Sequence, residues 1–501
     1  MQEQISILRD RSWPVFLYAG VPILATAFLY ATSAYELSFL EMFAAFCLCW
    51  IAWVSYQHWR HQGRAGIPLF ALIAGVYWLV YALPLFWGDH AIGLVTGYHP
   101  LSEASITASL YLALAGVVSL WVGMTLVKKL HWTPGSRVDV PENPWRWYYL
   151  RVVLVVSTLM KVLLPIDALG AGNRQILVNV EYILPSVALV IFFRYYLRGQ
   201  AILIDRLLLA GYLAVALVTG LSSGWLGSFI GVGVICLAAY VLERRRFPVV
   251  AMLVVIPIVL FLQPGKAKFR ERYWKGDSAK SYVETYAERV EFWIDASFQS
   301  WDQALSDPSG ERIRSLSGAT LTRLSLLQPT ANVMESTPAR VPYQGGRLYS
   351  YLTVTFIPRF LWPDKPSVSN ANKWYQIAYR LTLPANIQST GMAVGTVAES
   401  YISFGWLGPF IVMPCLGIFL GLFQATFLGA RSGLLLSGIG IALLPGLLSV
   451  ESQMAVYIAG IVQQAVFAMV VLAPIIQVHK DAKAYSERPI VSCVRVGEHP
   501  A

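Results

Sequence analysis

The chain is 501 residues long, 56% of them hydrophobic and only 13% charged, about half the charged share of an average soluble domain. A formal net charge of +10 would fit a nucleic-acid surface, but the basic residues are dispersed between apolar runs, which sets that class aside in favour of a membrane protein. All five cysteines (Cys47, Cys49, Cys236, Cys415 and Cys493) fall in apolar runs or in the C-terminal tail, so the one long polar stretch offers neither a disulfide nor a thiolate metal site.

The opening MQEQISILRDRSWPVF mixes acidic with basic residues and lacks a small-residue cleavage site, the pattern of an uncleaved first span. Apolar runs long enough to cross about 30 Å of hydrocarbon predict twelve spans, near 13–31, 37–56, 67–87, 104–127, 147–165, 180–197, 203–221, 225–242, 247–263, 405–428, 433–450 and 455–477. The expected fold is an all-α polytopic inner-membrane bundle. Alternate short loops carry Arg60 and Arg64; Lys128, Lys129, Arg137 and Arg146; Arg194, Arg198 and Arg206; Arg244, Arg245 and Arg246; and Arg431. The positive-inside rule places these loops and both termini in the cytoplasm. The intervening loops are nearly free of basic residues, Arg174 in GAGNRQ being the exception. The division this predicts is an N-terminal bundle over 1–263, a large periplasmic loop over 264–404, a C-terminal bundle over 405–477 and a cytoplasmic tail over 478–501.

Residues 264–395 hold sixteen Lys/Arg against eleven Asp/Glu, on the side where basic residues are normally scarce. Within them, Val283, Tyr286, Val290, Trp293 and Trp301 recur at helical spacing, which predicts an amphipathic docking helix. The loop has no histidine: His58, His61, His90, His99, His131, His479 and His499 all lie elsewhere, with His90 and His99 in the first outer loop. Chemistry in the large loop therefore falls to Arg, Lys, carboxylates and hydroxyls.

Two motifs concentrate those groups. In FIPRFLWPDKP, residues 356–366, Pro358, Pro363 and Pro366 stiffen the backbone around Arg359, Asp364 and Lys365. Phe356, Phe360 and Trp362 supply aromatic anchors at headgroup level, and two cations there suit a lipid diphosphate; the plainer alternative is a re-entrant turn. In AESYISFGWLG, residues 398–408, Glu399 opens the tenth expected span, where an ionisable group is costly; it is either a functional acid or the structural partner of an arginine. Gly405 and Gly408 allow close helix packing around Trp406. Lys161, within the fifth expected span, and Arg323, Arg340, Arg347 and Arg380 complete the set of candidate cations.

The stretch from Arg323 through FIPRFLWPDKP to AESYISFGWLG, with the span count and the late large loop, resembles the Wzy-type polymerases of lipid-linked oligosaccharide repeat units. The resemblance implies a glycosyltransferase of GT-C-like architecture with no cofactor or metal. It transfers a growing O-antigen, capsule or exopolysaccharide chain from undecaprenyl diphosphate onto an incoming lipid-linked repeat unit. Implied partners are the bilayer, a Wzz-like chain-length regulator and a Wzx-like flippase. Arg174, Arg323, Arg359, Lys365 and Arg380 are then candidates for the diphosphate, and Glu399, followed by Asp364, for the base. An O-antigen ligase and a polysaccharide flippase or transporter are the competing expectations.

Overall fold

In the computed structural model, the residues described are 14–33, 36–87, 101–130, 137–139, 143–163, 171–274, 285–355, 357, 362, 364–381, 387, 391–429 and 432–479. Among them the chain is helical apart from one antiparallel pair, β1 (Arg137–Asp139) against β2 (Gln477–His479), with Val138 opposite Val478. The C-terminal tail beyond 479 lies outside the described residues.

Eight helices are long and apolar enough to cross a membrane, or nine if one bent pair counts as a single span. They are α2 (Phe39–His61), the run from α3 (Leu69–Tyr77) to Trp87, α4 (Glu103–Lys129), the Asn179–Leu197 part of α6 (Ala171–Leu197), α7 (Leu203–Ser222), α8 (Leu226–Arg244), the run Thr396–Leu428, and α20 (Met454–Val471). Each matches one of the twelve expected spans. The other four depart from a simple span for local reasons. The first is α1 (Pro14–Thr32), of which Tyr18–Thr32 forms a shorter apolar helix. Helix α5 (Pro144–Leu163) is continuous but carries Arg146, Arg151 and Lys161; Arg151 pairs with Asp205 of α7 at 2.7 Å. Helix α9 (Val249–Leu262) stops at Pro264 and bends by 53° into α10 (Lys266–Trp274), because a proline cannot donate to the preceding turn. The expected 433–450 span is split into α18 (Leu434–Ala442) and α19 (Leu444–Leu447), where Pro445 has no N–H for Ile441.

The chain between α10 and α20 is also largely helical: α11 (Tyr286–Leu305), α12 (Glu311–Leu324), α13 (Leu327–Ser336), α14 (Ser350–Thr355), α15 (Asn370–Ala378), α16 (Thr396–Phe404) and α17 (Gly408–Phe423). The expected amphipathic helix is α11; Val283 lies outside the described residues. A capping box between Thr285 and Glu288 starts it, and it docks on the end of α9. Trp293 Nε1 donates to the Leu262 carbonyl at 2.9 Å and Trp301 Nε1 to the Phe261 carbonyl at 3.0 Å. Two indoles thus satisfy carbonyls that the end of α9 would leave unpaired, and Trp293 joins Leu226, Leu262 and Phe269 in a small second core.

The main core is organised by the contact of α4 with α17, the most extensive in the molecule. A Cβ on Gly123 would lie 2.1 Å from the Pro414 carbonyl oxygen, and one on Gly417 would lie 2.3 Å from that of Leu120. These helices meet backbone to backbone, which only glycine allows. That contact fixes α16, directly before α17, against the middle of the bundle.

Candidate functional site

Helix α16 is set between two glycines in conformations that other residues rarely adopt, Gly395 (φ +77) and Gly405 (φ +61). The Gly395 N–H donates to the Glu451 carbonyl at 3.0 Å. At the other end, a Cβ on Gly408 would fall 2.0 Å from the Ser400 carbonyl oxygen, so the chain folds back tightly as α17 begins. The membrane-length run consequently starts at Thr396, nine residues before the expected 405, and places Glu399 inside it.

Glu399 is completely buried, with 0% exposure. Its Oε2 accepts the Met454 N–H at 2.6 Å, the first residue of α20. A carboxylate is favourable at such an end, where N–H groups lack intrahelical partners and the helix dipole is positive. Among the described residues its Oε1 has no hydrogen-bond partner and no cation pairs with it. The Ser403 hydroxyl one turn further along α16 faces the Tyr349 hydroxyl, and the Gln453 amide that precedes Met454 is buried without a partner among the described residues. The turn carrying Tyr349 is fixed by Gln344 N–H donating to the Ile402 carbonyl at 2.9 Å and Gly345 N–H to that of Ser403 at 3.0 Å. Its ring stacks on Phe404 with centroids 6.3 Å apart. Burial and the nearby Glu399 carboxylate push the Tyr349 phenol well above its ordinary value, so it remains a proton-bearing donor.

A tyrosine-rich polar seam continues from this cluster. Tyr77 bonds Thr396 at 2.9 Å, Tyr81 bonds Thr330 at 3.0 Å, and Thr337 bonds Tyr379 at 2.6 Å. The Gln328 amide, Asn332 Nδ2 and the Tyr375 hydroxyl are buried there without partners. Burial pushes the Tyr379 phenol up to about 12 against the pull of Thr337 and the neighbouring Arg340. Such a seam supplies hydrogen-bond donors and acceptors and little charge, which suits a polyhydroxylated ligand.

The expected cations are arranged differently. Lys365 donates to the Ile357 carbonyl at 2.7 Å and reaches that of Val354 at 3.5 Å, so its ammonium ties the proline-rich turn to the end of α14. That helix in turn rests on α20, where Gln463 donates to the Thr355 carbonyl at 3.1 Å. Glu399 and the end of α14 therefore meet α20 nine residues apart, about 13 Å at 1.5 Å per residue, and Lys365 and Glu399 do not touch. Asp364 is exposed. Arg340, Arg347 and Arg380 are exposed beside the seam; Arg340 donates to Ser336 at 2.6 Å, and Arg380 adopts φ +53 just past α15. Arg359, His90 and His99 lie outside the described residues, as do the side chains of Arg174 and Arg323, whose backbones are helical. Lys161 faces the Tyr182 ring at 5.4 Å. Among the described residues, no three His, Cys, Asp or Glu side chains gather as a metal site requires.

The sequence singles out Glu399, and Ser403 lies one turn along in the same motif; Tyr349 and Gln453 carry no local mark, because tertiary folding alone brings them to α16. No curated protein and no solved structure matches the chain. Residues 101–430, more than half of the sequence and inclusive of Glu399 and the proline-rich turn, match the family described as a domain of unknown function (DUF8712), and the chain belongs to that family.

Proposed function

We propose that this protein is a membrane glycosyltransferase that polymerises lipid-linked oligosaccharide repeat units, with Glu399 as its general base. The observation that carries the reading is the Glu399 carboxylate: buried, without a cation, and with one oxygen unengaged beside the Tyr349 phenol. In the proposed reaction an acceptor sugar hydroxyl attacks the anomeric carbon of the growing chain. The bond to undecaprenyl diphosphate breaks, and the hydroxyl proton passes to Glu399. The diphosphate leaves as an anion, for which Arg347 and Arg380 beside the seam, with Arg174, Arg323 and Arg359, are the proposed cations. Lys365 is assigned to a structural role, tying its own segment to the end of α14. The uncharged donors of the seam are the proposed sugar contacts.

The motif resemblance supports this reading, as does the hydrogen bond that sets Glu399 at the start of α20. The same isolated acid inside a span also fits a flippase or transporter that carries a proton. A defined repeat unit on undecaprenyl diphosphate, supplied to the purified protein in detergent and read by gel laddering, tests the choice. Ladders are expected; a protein that makes none, yet moves the lipid-linked unit across a liposome membrane, is a transporter.

A further inference from the structure

Spans α2 and α8 both run out into arginine, Arg60 in the last turn of one with Arg64 after it, and Arg244 ending the other with Arg245 and Arg246 after it. Their two following turns interlock. Arg64 and Arg245 each adopt φ +55, a left-handed conformation that costs a residue with a Cβ. Each guanidinium lies on the backbone of the other turn. Arg64 Nη1 donates to the Arg245 carbonyl, while Arg245 Nη1 donates to the carbonyls of Gly63 at 3.0 Å and Arg64 at 2.6 Å. Tyr56 bridges the two sides, its ring 5.9 Å from both Trp59 and Phe247. Arg244 reaches away to the Leu197 carbonyl at the end of α6, at 2.7 Å. Glu243, the acid next in sequence, is engaged by Arg194 and Arg198.

Carbonyls at helix ends attract cations, which accounts for one arginine per terminus. It does not account for two like charges drawn into one junction. Helices α2 and α8 share little direct packing, so the interlocked turns are the main link between them. Beyond Arg246 the chain enters α9, whose Val249, Val250 and Leu253 are 60%, 77% and 69% exposed. Arginines suited to a phosphate, aromatic rings beside them and an apolar helix leading away from them together complement one phospholipid molecule.

We propose that the Arg64–Arg245 junction binds the phosphate of an anionic phospholipid, with Arg60 and Arg246 beside it and the acyl chains along α9. The planar guanidinium fork matches phosphate oxygens, and the bound headgroup neutralises the repulsion that the interlocked turns create. This site is independent of the Glu399 cluster and of any reaction there.

The test is retention of fluorescent phosphatidylglycerol against phosphatidylcholine by the purified full-length protein in detergent. Wild type is expected to retain phosphatidylglycerol preferentially. Arg60→Gln/Arg246→Gln leaves the reciprocal hydrogen bonds intact and is expected to lower the preference about fivefold per arginine removed, the equivalent of about 1 kcal/mol each. Arg64→Gln/Arg245→Gln is expected to lower it at least as far; should that variant unfold, the first still decides. Equal retention of the two lipids by wild type, or an unchanged preference in Arg60→Gln/Arg246→Gln, overturns the proposal. So does displacement of phosphatidylglycerol by excess inorganic phosphate alone, which would make the junction a small-anion site.

Discussion

Two glutamates of the membrane bundle have opposite surroundings. The Glu243 side chain, 13% exposed, accepts from Arg194 at 2.5 Å and from Arg198 at 2.8 and 3.0 Å, and Arg194 also donates to Ser437 of α18. Glu399, with no exposure, has one backbone N–H and no cation. The first acid is neutralised and fully bonded, and it ties α6, α8 and α18 together. The second leaves part of its hydrogen-bonding capacity unused, at a cost of about 1–3 kcal/mol for a buried unsatisfied group. The proposed role of Glu399 rests on this difference: an acid completed by two arginines is a structural charge, whereas an open one is a candidate for proton transfer.

That contrast breaks down if substitutions at the two acids have the same kind of effect. The largest expected change is in turnover: removal of a general base at Glu399 lowers chain extension by about 10²–10⁴-fold, read from the rate of ladder growth. Next is stability at the other acid. Glu243→Ala leaves Arg194, 7% exposed, without its carboxylate and is expected to cost about 3–5 kcal/mol, seen as a lower thermal midpoint in detergent and reduced yield from membranes. Trp293→Phe sharpens the same distinction on a neutral group. Loss of the indole donor leaves the Leu262 carbonyl only the long bond from the Ser297 hydroxyl at 3.5 Å, for about 1–3 kcal/mol of stability, with turnover per folded molecule unchanged. The smallest expected effect is Arg151→Ala, which removes a pair whose arginine side chain is 23% exposed. Asp205 is itself buried at 6% exposure, but it lies in the first turn of α7, whose unpaired N–H groups and positive dipole offset part of the lost partner, so about 1–2 kcal/mol of thermal stability is expected there.

How much of this is legible in the sequence depends on whether the signal is local. The eight long apolar helices are written as continuous runs, and so is the docking helix, whose Thr285 and Glu288 mark its start. Breaks after α9 and between α18 and α19 follow from Pro264 and Pro445, but hydropathy averaged over a span length conceals them. Glu399 stands out because an acid beside an apolar run is rare. Its surroundings are not legible: Met454 lies 55 residues away, and Tyr349 arrives on a turn held by backbone bonds to Ile402 and Ser403. Lys365 shows the reverse case. A lysine beside three prolines reads as an open cation, yet the carbonyls of Val354 and Ile357 lie within its reach, and it bonds them.

The most direct test of the distinction between these acids measures thermal midpoint and chain extension together on purified wild-type protein and Glu399→Gln. The glutamine can keep an oxygen facing the Met454 N–H while losing the ability to take a proton, so an unchanged midpoint with lost extension is expected. Extension at the wild-type rate, or a midpoint that falls as far as that of Glu243→Ala, would contradict a functional role for the open carboxylate.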